Sequence, residues 1–450
     1  MNPKRLTHLI LLTLIAIMSL TTSTEAAQFL FRPELIVSGE YNDNIYLTPD
    51  NEQDDFITTA GLGLTGQIVG RTAGLELNYT PTYSTFADNS DLDYWRHSAR
   101  LLVYKQLGRN TRFEFVNDYL ETEDPLDEAP DYTPDDPTQG APIEADPNRR
   151  GRSRYRTYSA DASLRHQFGT RDNIETAVRF NYREDIDTPI GETAEDYNEV
   201  SPRIGLEYWF TQRWGVEADG FYSNRSYDER NDREEYTGYM RLLHAFTRHV
   251  SGYLEYRHTE LDFDRDEDPA ADIDYKLYEP AIGFRWEFQE DARFTLSVGY
   301  LFQDLKGVDD EDDYGWLVNS EIAKRWSFRR SYLELIGGSG YQIADRGVED
   351  LGLNIYYTGR ATIGYNFSTR AIGELYGGYR YDEYPDETPE REDQLWDAGA
   401  TLRYQALQWM NIELTYSYRD SQSDLVTEEY VENRVFLGVV MAPATPFRLN

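Results

Sequence analysis

The sequence contains no cysteine, which excludes disulfides, thiolate metal sites and cysteine nucleophiles and suits export to an oxidising compartment. Its histidines are few and scattered, without an HExxH motif or any paired ligand spacing. They are His8, His97, His166, His244, His249 and His258. The sequence therefore predicts no metal site, no cofactor and no catalytic residue. A membrane-embedded lipid-modifying enzyme stays open as a minor alternative, because its serine, histidine and acid could be distant in sequence.

A second absence is that of long apolar runs. Beyond residue 27 no segment approaches the roughly eighteen consecutive apolar residues that a membrane-spanning helix needs. The mean hydropathy of -0.69 and the 28% of charged residues resemble those of a soluble protein. A transmembrane β-barrel gives the same composition, because each strand presents only every second residue to lipid. The 14% of aromatic residues is too high for a disordered acidic chain.

The first 27 residues have the pattern of a signal peptide. Lys4 and Arg5 precede the apolar run 9–20, and the small residues near 24–27 provide a cleavage site. No cysteine follows, so a lipoprotein anchor is excluded. We expect residues 1–27 to direct export and residues 28–450 to form a single outer-membrane domain.

Apolar and polar residues alternate with a period of two in segment after segment. Pro280, Ile282, Phe284, Trp286 and Phe288 share one face of a predicted strand. The intervening positions are Gly283, Arg285 and Glu287. The same alternation recurs in residues 75–83, 174–182, 294–302 and 412–418. Strands, and not helices, are therefore predicted along the chain.

The connections between these strands are alternately short and long. The short ones are residues 70–72, 108–110, 169–173, 211–213, 247–249, 289–293, 327–331, 368–370 and 406–409. The long ones include residues 43–55, 121–152, 184–196, 262–274, 303–313, 381–393 and 420–429. This pattern predicts an all-β fold, a transmembrane antiparallel up-and-down β-barrel of about 18–20 strands with short periplasmic turns and long acidic extracellular loops. The alternative is a soluble propeller or sandwich.

Tryptophan occurs beside the connections and not in the middle of the predicted strands. Indole favours the boundary between lipid and water, because it is apolar with one polar N–H group. We therefore predict two aromatic belts. Their members are Trp95, Trp209, Trp214, Trp286, Trp316, Trp326, Trp396 and Trp409.

The formal net charge of -37 is concentrated in the predicted outer loops, which gives no expectation of nucleic-acid binding. Residues 121–146 and 308–313 are the strongest acidic clusters. Such clusters could hold divalent cations between the protein and lipopolysaccharide, or could be solvated loops kept soluble by repulsion. Their spacing matches no defined calcium loop, so outer-membrane lipids and lipopolysaccharide are the expected surroundings and no metal site is assigned.

If the apolar face meets lipid, the alternate face lines the barrel lumen. Its candidate functional residues are arginines, whose forked donors suit carboxylates. They are Arg100, Arg179, Arg203, Arg241, Arg257, Arg285, Arg360, Arg403, Arg419 and Arg434. Their partners could be the glutamates on the same face, forming an ion-pair lattice, or the uronic acids of a polymer in transit. The two interpretations are compatible.

The two ends of the mature chain carry distinctive motifs. They are GEYNDNIYL at residues 39–47, DDFI at 54–57 and ENRVFLG at 432–438. The chain resembles, in these segments, the outer-membrane β-barrel family encoded beside exopolysaccharide and exosortase (PEP-CTERM) gene clusters. The resemblance implies an outer-membrane barrel associated with polysaccharide biosynthesis or export, without catalytic or binding residues. One departure is the tail 442–450, where barrels commonly finish on an aromatic residue; either the tail is tolerated or Phe447 substitutes.

These observations lead to one main hypothesis. The chain is expected to be a non-enzymatic outer-membrane channel that helps an anionic exopolysaccharide, together with periplasmic export proteins, to cross the outer membrane. The alternative is a general diffusion porin or a structural barrel without a dedicated substrate. A barrel of this size lies between open porins and plugged transporters. The loop 121–152 is the predicted segment to fold over or into the lumen.

Overall fold

A computed structural model describes residues 27–124, 152–187, 196–228, 231–264, 274–289, 292–306, 314–346, 349–385 and 389–449. The strands are β1 (Gln28–Asn42), β2 (Asp55–Val69), β3 (Ala73–Phe86), β4 (Tyr94–Gln106), β5 (Thr111–Thr122), β6 (Tyr155–Gln167), β7 (Asn173–Asp185), β8 (Tyr197–Tyr208), β9 (Trp214–Tyr227), β10 (Asp232–Ala245), β11 (Val250–Asp264), β12 (Asp274–Gln289), β13 (Ala292–Lys306), β14 (Tyr314–Ser327), β15 (Ser331–Arg346), β16 (Glu349–Ser368), β17 (Ala371–Tyr384), β18 (Arg391–Leu407), β19 (Met410–Ser423), β20 (Tyr430–Met441) and β21 (Phe447–Leu449). Two short 3-10 helices, Ser90–Leu92 and Val426–Glu428, lie in connections. No helix within these ranges is both long and apolar enough to cross a membrane.

The strands form one closed antiparallel ring. Each strand from β1 to β20 pairs with the next along the chain, and β1 pairs with β20 from Leu35 opposite Met441 to Asn42 opposite Arg434. Closure gives every strand two neighbours, so no sheet edge is left in lipid, where unpaired backbone groups would cost several kcal/mol each. The predicted all-β up-and-down barrel of about 18–20 strands is confirmed.

The two faces of the wall differ as the alternation predicts. On β12, Ile282, Phe284 and Trp286 are exposed on the outer face, while Arg285 and Glu287 alternate with them. Exposed large apolar side chains recur in the same phase around the ring, for example Met240 and Leu375. Such a band is stable only against lipid. We call the opposite phase of each strand the inward face.

Connections at the two ends of the barrel differ in length. At one end, the short-turn end, strands are joined through residues such as 70–72, 328–330 and 408–409, at the positions the sequence indicates. At the other, the long-loop end, β1 and β2 are joined through residues 43–54 and β7 and β8 through 186–196. Two connections at this end are nevertheless short, because β9 to β10 and β15 to β16 extend further than the sequence suggests. In outer-membrane barrels the short turns face the periplasm.

The C-terminal tail continues the last strand after an interruption. Pro443 and Pro446 lie between β20 and β21, where a residue without a backbone N–H cannot donate to the ladder. The chain then pairs again, Phe447 to Leu449 opposite Phe29 to Phe31 of β1. Phe447 and Leu449 are exposed. Of the two expectations for the tail, the structure therefore shows an aromatic residue, Phe447, in the resumed strand.

The terminal motifs lie side by side where the ring closes, in a group of contacts we call the seam. Asn42 Nδ2 donates to Glu432 Oε1 (2.9 Å), and Asn433 Nδ2 donates to Asp43 Oδ2 (2.7 Å). Asn44 Nδ2 donates to the backbone carbonyl oxygens of Val431 (3.0 Å) and Thr48 (2.8 Å). Asn42 and Asn44 are fully buried. The motifs that carry the resemblance therefore join the first and last strands.

Two sequence expectations lie largely outside the described residues. Residues 1–26 of the expected signal peptide and residues 125–151 of the long loop are not described. Signal-peptide cleavage and insertion of that loop into the lumen therefore stay predictions.

Substitution of Asn44 should weaken ring closure. In Asn44→Ala the carbonyl oxygens of Val431 and Thr48 lose a donor in a buried site, at a cost of about 1–3 kcal/mol. We expect a lower temperature at which the unheated barrel loses its fast mobility on a denaturing gel. The matched control is Asn411→Ala, at an exposed position on β19 away from the seam. Equal transition temperatures for both variants and the wild type would contradict a stabilising seam.

Candidate functional site: the inward face

All ten candidate arginines lie in ion pairs on the inward face. The pairs, by closest N···O distance of one partner, are Arg100–Asp118 (3.3 Å), Arg179–Asp161 (3.3 Å), Arg203–Asp219 (2.9 Å), Arg241–Glu217 (3.0 Å), Arg257–Glu255 (3.3 Å), Arg285–Glu217 (3.2 Å), Arg360–Asp397 (3.5 Å), Arg403–Glu413 (2.8 Å), Arg419–Glu432 (3.9 Å) and Arg434–Glu432 (2.6 Å). Most of these pairs join neighbouring strands. The structure thus gives each guanidinium a carboxylate of this chain.

The pairs merge into a network on β9 to β12. Arg241 of β10 contacts both Glu217 of β9 and Glu255 of β11. Glu217 also accepts from Arg285 of β12, and Glu255 also pairs with Arg257. A planar guanidinium with five donors can serve two carboxylates at once, which an ammonium group does less well. Three arginines and two glutamates therefore compensate one another across four strands.

Arginine supplies the basic groups of this face in the described strands. Lys105, Lys276 and Lys324 belong to the outward phase of their strands instead, as their strand pairing shows. Carboxylates and guanidinium groups alternate around the inward face, so most charges of either sign have a neighbour of opposite sign. The interior wall is therefore close to electrically balanced, and the negative net charge of the chain comes mainly from other segments.

Further pairs were not among the sequence candidates. Arg380 and Asp382 form a bidentate pair with two bonds of 2.6 Å, and Arg391 and Asp393 form another with bonds of 3.0 and 2.9 Å. All four side chains are buried near the long-loop end. A spacing of two places both residues on one strand face, so the repeated Arg-x-Asp pattern is the sequence signal that could have identified them.

Solvent exposure of the inward face changes along the barrel axis. Near the short-turn end the side chains of Arg403 and Arg165 are 51% and 60% exposed despite their ion pairs. Near the long-loop end Arg380 and Arg391 are below a tenth exposed. Beside them, outside the strands, burial raises the pKa of the Glu123 carboxyl, against the nearby guanidinium groups of Arg154 and Arg152. The interior is open to water towards the short turns and filled towards the loops.

The connection between β1 and β2 fills part of this outer end. Ile45 and Leu47 are 1% exposed, and Ile45 packs in one cluster with the inward side chains of Ile57, Phe86 and Tyr94. Leu47 has a φ of 54°, a left-handed conformation that bulky residues rarely adopt. Arg152 Nε donates to the Ile45 carbonyl oxygen at 3.2 Å. This connection therefore turns into the mouth of the barrel.

The tryptophans lie near the strand ends. Seven are exposed on the outer surface, namely Trp95, Trp214, Trp286, Trp316, Trp326, Trp396 and Trp409. Trp209 is half-buried, and its Nε1 donates to Glu207 Oε1 at 2.8 Å while the guanidinium of Arg171 lies over its ring. Trp396 lies further into its strand than expected, because β18 already begins at Arg391.

The described ranges contain no group of three or more His, Asp or Glu side chains placed to hold a metal ion. The acidic cluster 308–313 and most of 121–146 lie outside those ranges. Cation binding by the loops is therefore an expectation that the structure does not address.

Comparison with known proteins is consistent with a barrel of the porin kind. Residues 223–442 match the model of a family described as "Putative beta-barrel porin 2". No curated protein sequence is significantly similar to this chain. The family match and the closed, outwardly apolar ring together support a porin-like β-barrel of the bacterial outer membrane.

Solved outer-membrane proteins show distant structural similarity. They include Pseudomonas aeruginosa OccK2 (OpdF) in complex with glucuronate (11% identity, 92% of this chain and 98% of that chain, TM-score 0.40), P. aeruginosa OprD (12%, 92% and 95%, 0.36) and Acinetobacter baumannii OccAB3 (11%, 93% and 99%, 0.38). At these identities and TM-scores, the ligands of those proteins carry no argument about this chain.

Removal of Arg241 should destabilise the barrel. Arg241→Met leaves Glu255, which is buried, without one of its guanidinium partners and takes one of two from Glu217, and breaking a buried ion pair costs about 3–5 kcal/mol. The control is Arg403→Met, because that half-exposed pair is worth only about 0–1 kcal/mol. The measurement is the denaturant midpoint of the barrel in detergent micelles. A larger loss for Arg403→Met than for Arg241→Met would contradict the network.

Proposed function

We propose that this chain is an outer-membrane diffusion channel for small polar solutes, with a pathway along the inward face. The observation that carries the proposal is the pairing of all ten candidate arginines with carboxylates of the same chain. A wall of paired charges is hydrated and polar, yet has little net charge with which to select anions. Such a wall suits passage of polar solutes better than retention of one charged polymer.

Transport of an anionic exopolysaccharide is the second candidate, expected from the resemblance of the terminal motifs. One observation favours it. Arg179 and Arg403 keep 44% and 51% of their side-chain surface exposed although both are paired. A uronic-acid carboxylate could replace Asp161 or Glu413 as a partner of these guanidinium groups, because the forked donors accept any carboxylate of suitable geometry.

Single-channel recording in planar bilayers separates the two candidates. For a diffusion channel we expect steady conductance, a small reversal potential in a salt gradient, and no difference between uronic-acid and neutral oligosaccharides as blockers. For polymer transport, uronic-acid oligomers should block at concentrations at which neutral oligomers do not. Block that is specific for uronic acids would overturn the first proposal, and absence of any conductance from correctly folded protein would overturn both.

The variant Arg403→Gln sharpens this test. If uronic-acid block occurs through the exposed guanidinium groups, the substitution should weaken it several-fold and leave the conductance in plain salt nearly unchanged. Lys105→Gln, on the outward phase of β4, is the matched removal of a positive charge. Equal weakening by both substitutions would exclude a role for the inward arginine.

A further inference from the structure

The tip of the β15–β16 hairpin leaves the barrel wall. β15 pairs with β14 only up to Ser339 opposite Ser320, whereas β14 itself continues beside β13 as far as Tyr314. β16 pairs with β17 only from Ile355 onwards. Beyond these points β15 and β16 pair only with each other, for example Ile343 with Leu353. The segment from Gly340 to Asn354, which we call the inner hairpin, therefore separates from both neighbouring strands.

The inner hairpin crosses into the lumen. Tyr341, Ile343 and Leu353 pack in one cluster with five large apolar side chains of β11, β12 and β13. Those five are Leu261, Phe263, Tyr275, Leu277 and Leu301. They belong to the inward face, since they alternate with exposed residues such as Tyr256, Ile282 and Phe302. Because β14 separates β15 from these strands in the wall, the hairpin can reach them only through the barrel interior.

The covered patch has a composition unlike the rest of the inward face. Elsewhere this face carries arginines, carboxylates and hydroxyl groups, but here three adjacent strands present leucine, phenylalanine and tyrosine. Leu261 and Leu277 have no exposed surface, and Leu353 of the hairpin is 3% exposed. Large apolar groups that lined a water-filled pathway would be unfavourably hydrated. Their presence indicates that the inner hairpin covers them in the stable state of the barrel.

Polar contacts fasten the root of the inner hairpin. Glu279 of β12 is fully buried and accepts a bond of 2.6 Å from Asn319 Nδ2 of β14. Its other oxygen lies 3.9 Å from Arg257 Nε, and Tyr341 of the hairpin interacts electrostatically with both charges. Residue 340, where the hairpin leaves the wall, is glycine; a Cβ there would lie 3.2 Å from both Asn319 Oδ1 and Tyr356 Oη. Close approach at this point is therefore part of the arrangement.

We infer that the inner hairpin is a built-in constriction that narrows the pathway near the long-loop end and sets the size of the solutes that pass. The inference rests on the proposed channel function. It assigns to Tyr341, Ile343 and Leu353 the role of anchoring the constriction to the wall, and to Glu279 the role of a positioning residue at its root. The size limit is then set by this hairpin and not by the circumference of the ring.

A cysteine probe tests the position of the hairpin without any measurement of transport. The chain has no cysteine, so Leu353→Cys introduces a unique thiol. We expect this thiol to react with a water-soluble maleimide at least tenfold more slowly than Leu425→Cys, a control in the exposed β19–β20 connection. Adding Tyr341→Ala should accelerate labelling at 353 and leave labelling at 425 unchanged. Equally fast labelling at both positions in the otherwise unaltered chain would overturn the inference.

Conductance and solute entry test the consequence. Tyr341→Ala combined with Leu353→Ala should raise single-channel conductance severalfold, or produce frequent larger openings, and admit larger neutral sugars into proteoliposomes. Leu277→Asn, on the wall side of the cluster, should act in the same direction. The matched control is Tyr357→Ala with Ile363→Ala, on the lipid-facing side of β16. Heat-modifiable gel mobility verifies that each variant is folded.

The outcomes separate this inference from the channel proposal. Conductance that is present in the wild type and unchanged in folded, loosened variants would overturn the constriction and leave the channel intact. A silent wild type with conducting variants would support both. If wild type and variants were all silent, the channel proposal would fail, and the labelling rates at residue 353 alone would decide whether the hairpin lies inside the barrel.

Discussion

Hydrogen bonding of the backbone in lipid is the constraint on which this structure depends. No water can satisfy a free strand edge there, so twenty strands must close into a ring. Closure requires the first and last strands, hundreds of residues apart, to meet in one register. The buried amides of Asn42 and Asn44 and the carboxylates of Asp43 and Glu432 make that meeting specific. The tail after Met441 obeys the same constraint, because the chain returns to pair with β1 as soon as its prolines allow.

Charge inside the ring follows a second constraint. An ionised group on the inward face loses part of its hydration, and it is stabilised most effectively by a partner of opposite sign. Arginine suits this position because one guanidinium can pair with carboxylates from two strands, as Arg241 does with Glu217 and Glu255. The same pairing lowers the net charge of the pathway. Stability of the wall and weak selectivity for charge thus have one physical origin.

The interior is divided along its axis by segments that leave the wall. The β1–β2 connection and the inner hairpin bring apolar side chains into the long-loop end, where Ile45 and Leu353 are buried. Towards the short turns the paired charges remain in contact with water, as the exposure of Arg403 shows. A wide, hydrated vestibule therefore leads to a narrower outer end. Strand number alone would not predict this shape, because it determines the circumference and not the contents of the ring.

The sequence by itself determined the strands, their two faces and the alternation of turns, because each follows from the period of two and from local turn residues. It also placed the ten arginines in one phase, though the alternation cannot show which carboxylate each one contacts. The seam, the four-strand network around Arg241 and the insertion of the inner hairpin were decided by the tertiary structure. Apolar residues such as Leu261 and Leu277 follow the inward phase, and only the path of a distant hairpin explains why they avoid water there. Contacts between strands far apart in the chain depend on closure of the ring, which no local pattern encodes.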